Sequence, residues 1–146
     1  MGRRFLVGFE VNVDHEQAMV RAFFAPEKRT RYLSLLSTAR GRKKFVFTLA
    51  HLDALDTRFA RRLEPREQNV DEIERQLREH GAQSLCYVVS ENAGLDLRRM
   101  KLSDALQATV GFGMCTFISC IAGRLAYFEG EEPGSRYICE RGNPDG

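Results

Sequence analysis

MCTFISCIAGRLAYFEGEEPGSRYICER, residues 114–141, holds three runs of β-branched and aromatic residues separated by two short turns. Ala122-Gly123 separates the first two runs, and Glu132-Pro133-Gly134-Ser135 separates the last two. Glycine and proline at such positions supply turn geometry, so three consecutive strands joined this way form an antiparallel meander. Upstream, SLCYVVS (84–90) reads as another strand and ENAGLD as the turn that leaves it. LRRMK is a short extended piece before a helix over DALQATV, capped by Ser103 and stopped at Gly111.

The first half of the chain has a different period. RFLVGFEVNV (4–13) alternates like a strand, and Asp14 offers an N-cap for a helix over residues 15–24. Pro26 suits the first turn of the next helix, whose apolar stripe is Tyr32, Leu35 and Leu36. Ser37 or Thr38 caps a third, with Phe45, Leu49 and Leu52 on one stripe. ALDTRFARRLEPRE reads as a connection broken at Pro65. NVDEIERQLREHG is a further helix, with Asn69 and Glu72 arranged as a cap, Ile73 and Leu77 as its apolar edge and Gly81 as its stop. Helices first and strands later predict a single α+β domain over residues 1–146. A helical layer packs on one face of a C-terminal antiparallel sheet of β-α-β-β-β order. The closing GNPDG (142–146) reads as a loose tail.

APEKRTRYLSLL, GRKKF, SLCYVVSEN and GRLAYFEGEEPGSRYICER together resemble segments of small bacterial proteins to which no activity is attached. The resemblance covers roughly residues 25–141 and implies no catalytic residue. It leaves out residues 1–18, so Met19 is a possible start and the first strand is expected to be peripheral.

The chain has 146 residues, enough for one domain with a real core. The formal charge of +2 conceals a polarity: residues 1–62 hold 13 Lys/Arg against 6 Asp/Glu, and residues 63–146 hold 9 against 14. Such opposed halves suit a polyanion-binding face, a head-to-tail self-contact, or, by default, two solvated surfaces that differ in charge. The longest weakly polar run, 110–123, is shorter than the ~20 residues a membrane helix needs. No cleavable leader is recognisable at the N-terminus, and the expected address is the cytosol. Cys86, Cys115, Cys120 and Cys139 form no C-x-x-C pair, so they are read as small buried hydrophobes rather than a zinc site.

Four groups carry the chemical possibilities. Glu129, Glu131 and Glu132 cluster at the last hairpin, where acids commonly keep an edge soluble. Ser90, Glu91, Asn92 and Asp96 leave a buried strand into a loop, the usual place for functional groups on a rigid base. His51 is a candidate base on the third helix, while His15 and His80 lie near helix ends. Arg40, Arg42, Lys43 and Lys44, with Lys28, Arg29 and Arg31 upstream, make a basic cluster of the kind that contacts phosphates. No metal quartet, cofactor loop or nucleophile elbow accompanies them.

The leading expectation is a small non-enzymatic binding or regulatory module that engages a protein partner or itself and needs no cofactor. One alternative is nucleic-acid contact through Arg40, Arg42, Lys43 and Lys44. The other is a hydrolase or transferase in which Glu91 and Asp96 meet His51 or Glu129 in one pocket.

Overall fold

The computed structural model describes residues 12–49 and 54–142. Three helices come first: α1 (Val13–Phe23), α2 (Pro26–Leu36) and α3 (Ala39–Thr48). There follow β1 (Ala60–Arg62), α4 (Val70–Glu79), β2 (Leu85–Ser90), β3 (Arg99–Lys101), α5 (Leu102–Thr109), β4 (Thr116–Ile121), β5 (Leu125–Glu129) and β6 (Arg136–Glu140). The six strands form one sheet in the order β1-β6-β5-β4-β2-β3, antiparallel throughout. This is the α+β class, with helices mostly N-terminal and strands C-terminal. Among the described residues, no helix is long and apolar enough to cross a membrane.

The sheet carries helices on both faces, not on one. Alternation along the strands separates two cores. Tyr87, Val89, Phe117 and Phe128 point toward α1–α3 and meet Met19, Phe23, Phe24, Tyr32, Phe45 and Leu49. Val88, Ile118, Leu125, Tyr127 and Ile138 point the other way, toward Ile73, Leu77, Leu102 and Leu106 of α4 and α5. Runs such as YVV and LAYF are apolar at successive positions, so both faces need cover. Phe24 is an aromatic hub in the first core, with ring centroids of Tyr32, Phe45 and Phe117 at 5.2, 5.7 and 5.9 Å.

Local chemistry explains the boundaries. Thr38 caps α3 by accepting from the Gly41 amide at 2.9 Å, and Asn69 caps α4 by accepting from Glu72 at 2.9 Å. Pro26 stands at the start of α2, where its missing N–H costs nothing. Three expectations shift. Asn12, not Asp14, caps α1, its side chain accepting from the His15 amide at 3.1 Å, and Val13 opens that helix instead of closing a strand. The rest of the predicted strand 4–13 lies outside the described residues, as do Leu52 and the last four residues of the tail. Helix α5 starts at Leu102, directly out of β3, and Ser103 does not cap it; the Leu102 amide donates to the Ser84 carbonyl at 2.8 Å. The stretch around Arg61, read as a connection, adds β1 to the edge of the sheet through register with β6. Three residues ending in two arginines carry no period for sequence reading to detect.

Residues 13–18, within the segment expected to be peripheral, form the first part of α1 and place Glu16 in the interior at 1% exposure. On α3 two phenylalanines two positions apart have opposite environments: Phe45 is fully buried and Phe47 is 75% exposed. Phe45→Ala is therefore expected to cost about 3–5 kcal/mol in urea unfolding, while Phe47→Ala stays within about 0.5 kcal/mol of the parent.

Candidate functional site

Helix α3 and the loop after β2 face each other across a cleft of about 190 Å³. Arg42, Lys43, Val46 and Phe47 line one side, and Ser90, Glu91, Ala93 and Asp96 the other. Residues from two separate sequence clusters, one basic and one acidic, thus share one site.

Arg42 forms its floor. The residue is 8% exposed, and its guanidinium lies between two carboxylates. Its Nη1 and Nη2 donate to Asp96 Oδ2 and Oδ1 at 2.6 and 2.9 Å. Its Nε and Nη2 donate to Glu16, Nε at 3.1 and 3.0 Å to the two oxygens and Nη2 at 2.7 Å to Oε2. The planar fork of arginine suits two bidentate partners at once. The Tyr87 hydroxyl donates to Glu16 Oε2 at 2.6 Å and accepts from the Asn12 amide at 3.1 Å. Burial opposes the Arg42 charge, but the hydrogen bonds it donates to Asp96 and Glu16 outweigh it and hold the guanidinium pKa above its ordinary value. Burial, followed by the charge of Glu16, likewise raises the Tyr87 phenol.

The loop is tied to itself as well. Asp96 Oδ1 also accepts the Ser90 amide at 3.0 Å, and Ser90 Oγ accepts the Asn92 amide at 2.9 Å while bonded to Thr116 Oγ1 at 2.7 Å. Leu97 holds a left-handed backbone (φ 70°), with its amide donating to the Val88 carbonyl at 2.9 Å. Glu91 joins the cleft to the next loop: its Oε1 accepts the Cys115 amide at 2.8 Å.

Glu129 is not an acid of a solvated hairpin tip. It is 1% exposed, while Glu131 and Glu132 remain in solvent. Its carboxylate accepts from the amides of Gly111 and Gly113, both at 3.0 Å to Oε2, from the Tyr127 hydroxyl at 2.8 Å and from Arg136 Nε at 3.1 Å. Gly111 and Gly113 both have positive φ (91° and 70°), a backbone that glycine adopts freely. Phe112, held between them, projects outward with 67% of its surface exposed, and Met114 follows at 38%.

Of the predicted site residues, Glu91, Asp96, Arg42 and Lys43 meet at the cleft. Glu129 instead holds the 111–113 loop, Arg40 and Lys44 lie exposed on α3, and His51 is outside the described residues. All three kinds of nitrogen in Arg42 are engaged by carboxylates. Burial pushes the thiols of Cys86 and Cys139 up to about 12. Cys115 also reaches about 12, through burial and then the charge of Glu91. Thiols so shifted are poor nucleophiles at neutral pH. Among the described residues, no three His, Cys, Asp or Glu side chains gather as a metal site.

Glu16 and Tyr87 are the functional-site residues that sequence reading missed. For Glu16 a signal exists: it shares a buried face with Met19, Val20 and Phe23 at i+3, i+4 and i+7, so it is a carboxylate on an apolar stripe. Comparison with protein-family models, with curated proteins and with solved structures gave no match to this chain.

Two outcomes are expected from these networks. Arg42→Ala strands Glu16 and costs about 3–5 kcal/mol in denaturant unfolding, with Arg42→Lys recovering only part because a lysine cannot fork to both acids. Glu129→Ala lowers stability by about 3 kcal/mol, and amide hydrogen exchange at Gly111 and Gly113 accelerates beyond what that global loss accounts for.

Proposed function

We propose that the protein is a non-enzymatic binding module that engages a protein partner, or a second copy of itself, through exposed apolar side chains on α3 and on the 111–114 loop. The observation that carries this reading is the exposure of Phe47, Phe112 and Met114 on elements fixed from beneath by buried ion networks. Large apolar side chains held rigidly in water are the usual anchors of a protein interface, because their burial is favourable and little ordering entropy opposes it. The cleft volume supports the same choice. At about 190 Å³ it falls below the ~300 Å³ from which small-molecule pockets begin and suits one large side chain of a partner. Lys43 and Glu91 at its margins give a mixed-charge rim.

Nucleic-acid contact is the second reading, favoured by the exposure of Arg40, Lys43 and Lys44 on a single helix. The third, a hydrolase or transferase at Glu91 and Asp96, has support in their common cleft.

Site-specific photocrosslinking separates these. p-Benzoylphenylalanine placed at position 47 or 112 should give discrete crosslinked protein species in the producing cell, identifiable by mass spectrometry. The same probe at Arg78 on α4 should not. Equal, diffuse labelling from all three positions would end the interface reading, and crosslinks to nucleic acid from position 47 would favour the second.

A further inference from the structure

A separate cavity of about 200 Å³ lies where α1 crosses the β2–β3 edge of the sheet. Register sets its floor. Tyr87 of β2 pairs with Arg99 of β3 on one side and with Ser119 of β4 on the other, so the three form one cross-strand row. His15, in the first turn of α1, lies over this row: its Nδ1 is 2.8 Å from Ser119 Oγ, and its ring centroid is 5.5 Å from that of Tyr87. Gln83, Ser84, Leu85, Cys86 and Cys120 complete the walls with His15, Tyr87 and Arg99.

A guanidinium and an imidazole thus face one cavity whose lining residues include no acid. Arg99 is exposed, and among the described residues no carboxylate pairs with it. Among the described residues, Asp14 is the acid whose charge acts on His15, and it too is exposed. Tyr87 directs its hydroxyl away, to Glu16, and burial pushes the Cys86 and Cys120 thiols up so that both stay neutral. Ser84 and Gln83 bring a hydroxyl and an amide as neutral donors. The cavity also lies beside the positive end of the α1 dipole.

We propose that this cavity is a binding site for a small oxyanion, a phosphate or carboxylate group held between the Arg99 guanidinium and the His15 imidazole. The fork of Arg99 matches either group in two hydrogen bonds. Ser119 Oγ fixes the imidazole plane through Nδ1, leaving Nε2 as the nitrogen available to a ligand. Burial and then the charge of Arg99 hold the His15 pKa below its ordinary value. An anion beside Arg99 cancels the second of these causes, so binding raises the His15 midpoint, and affinity strengthens as pH falls through it.

The test follows the His15 imidazole of the intact protein by nitrogen-15 NMR at constant ionic strength. Sodium phosphate and sodium acetate are titrated in separate arms, with chloride as the balancing anion. Saturable shifts of the His15 signals below about 10 mM anion, where a millimolar site is mostly filled, are expected, with the midpoint rising by about one unit when the site is full. A response to phosphate alone assigns a phosphate group, and a response to acetate as well assigns any small oxyanion. Arg99→Gln, at an exposed position, should leave the fold intact and weaken binding at least tenfold. Absence of a saturable shift in both arms, or undiminished binding by Arg99→Gln, overturns the proposal.

Discussion

The guanidinium of Arg42 joins three parts of the chain that are remote in sequence. It pins α3 to α1 through Glu16 and to the loop after β2 through Asp96. A charge held this far from water is tolerated only when it is paired and its donors are satisfied. Two carboxylates on one arginine leave a formal excess of negative charge. That excess is moderated by a phenol donating to Glu16 and a backbone amide donating to Asp96. Such a network contributes less to net stability than apolar packing of equal volume would. Its effect is to reject other arrangements, since any slip of α3 along the sheet leaves a buried charge alone. The cleft geometry, and the direction in which α3 presents Lys43 and Phe47, both follow from that rejection.

The same device recurs on the opposite face. Glu129 closes β5 with a buried carboxylate, and the groups that satisfy it belong to a loop, a neighbouring side chain and the next strand. The Gly111-Phe112-Gly113 turn would otherwise be free to fold its phenylalanine inward. Anchoring both flanking amides fixes the backbone and leaves Phe112 in solvent. Glu91, by accepting the Cys115 amide, couples this loop to the cleft. An exposed aromatic group on a flexible loop loses much of its binding energy to ordering; one anchored in this way does not.

The sheet edges show how far sequence alone carried the fold. The strands of the meander, α4 with its Asn69 cap and the α2 start at Pro26 were legible because each has a period or a cap that needs no tertiary partner. Both edge strands are three residues long and basic: Ala-Arg-Arg in β1 and Arg-Met-Lys in β3. Short, charged edges resist pairing with other chains, and they are also nearly invisible to pattern reading. By sequence β3 reads as an extended piece, whereas β1 reads as a connection. The cover of both faces was missed because helix stripes record that a face is buried, not against which side of a sheet.

The site was less legible, for a related reason. Glu91 and Asp96 stood out as polar groups at the end of a buried strand, and the structure brings them to a cleft. Glu129 was read with its neighbours Glu131 and Glu132 as one solvated cluster, because a local window weighs acids alike. What distinguishes Glu129 is strand parity: it lies two residues after Tyr127 and so shares its face. Arg42 was read with Lys43 and Lys44 as part of a basic surface, although on a helix it lies one turn before Val46 and, unlike its two neighbours, turns inward to the acids. Charge clusters along a sequence describe composition. Parity and helical phase, applied residue by residue, decide which member of the cluster faces the interior and organises the fold, and which remain to meet a partner.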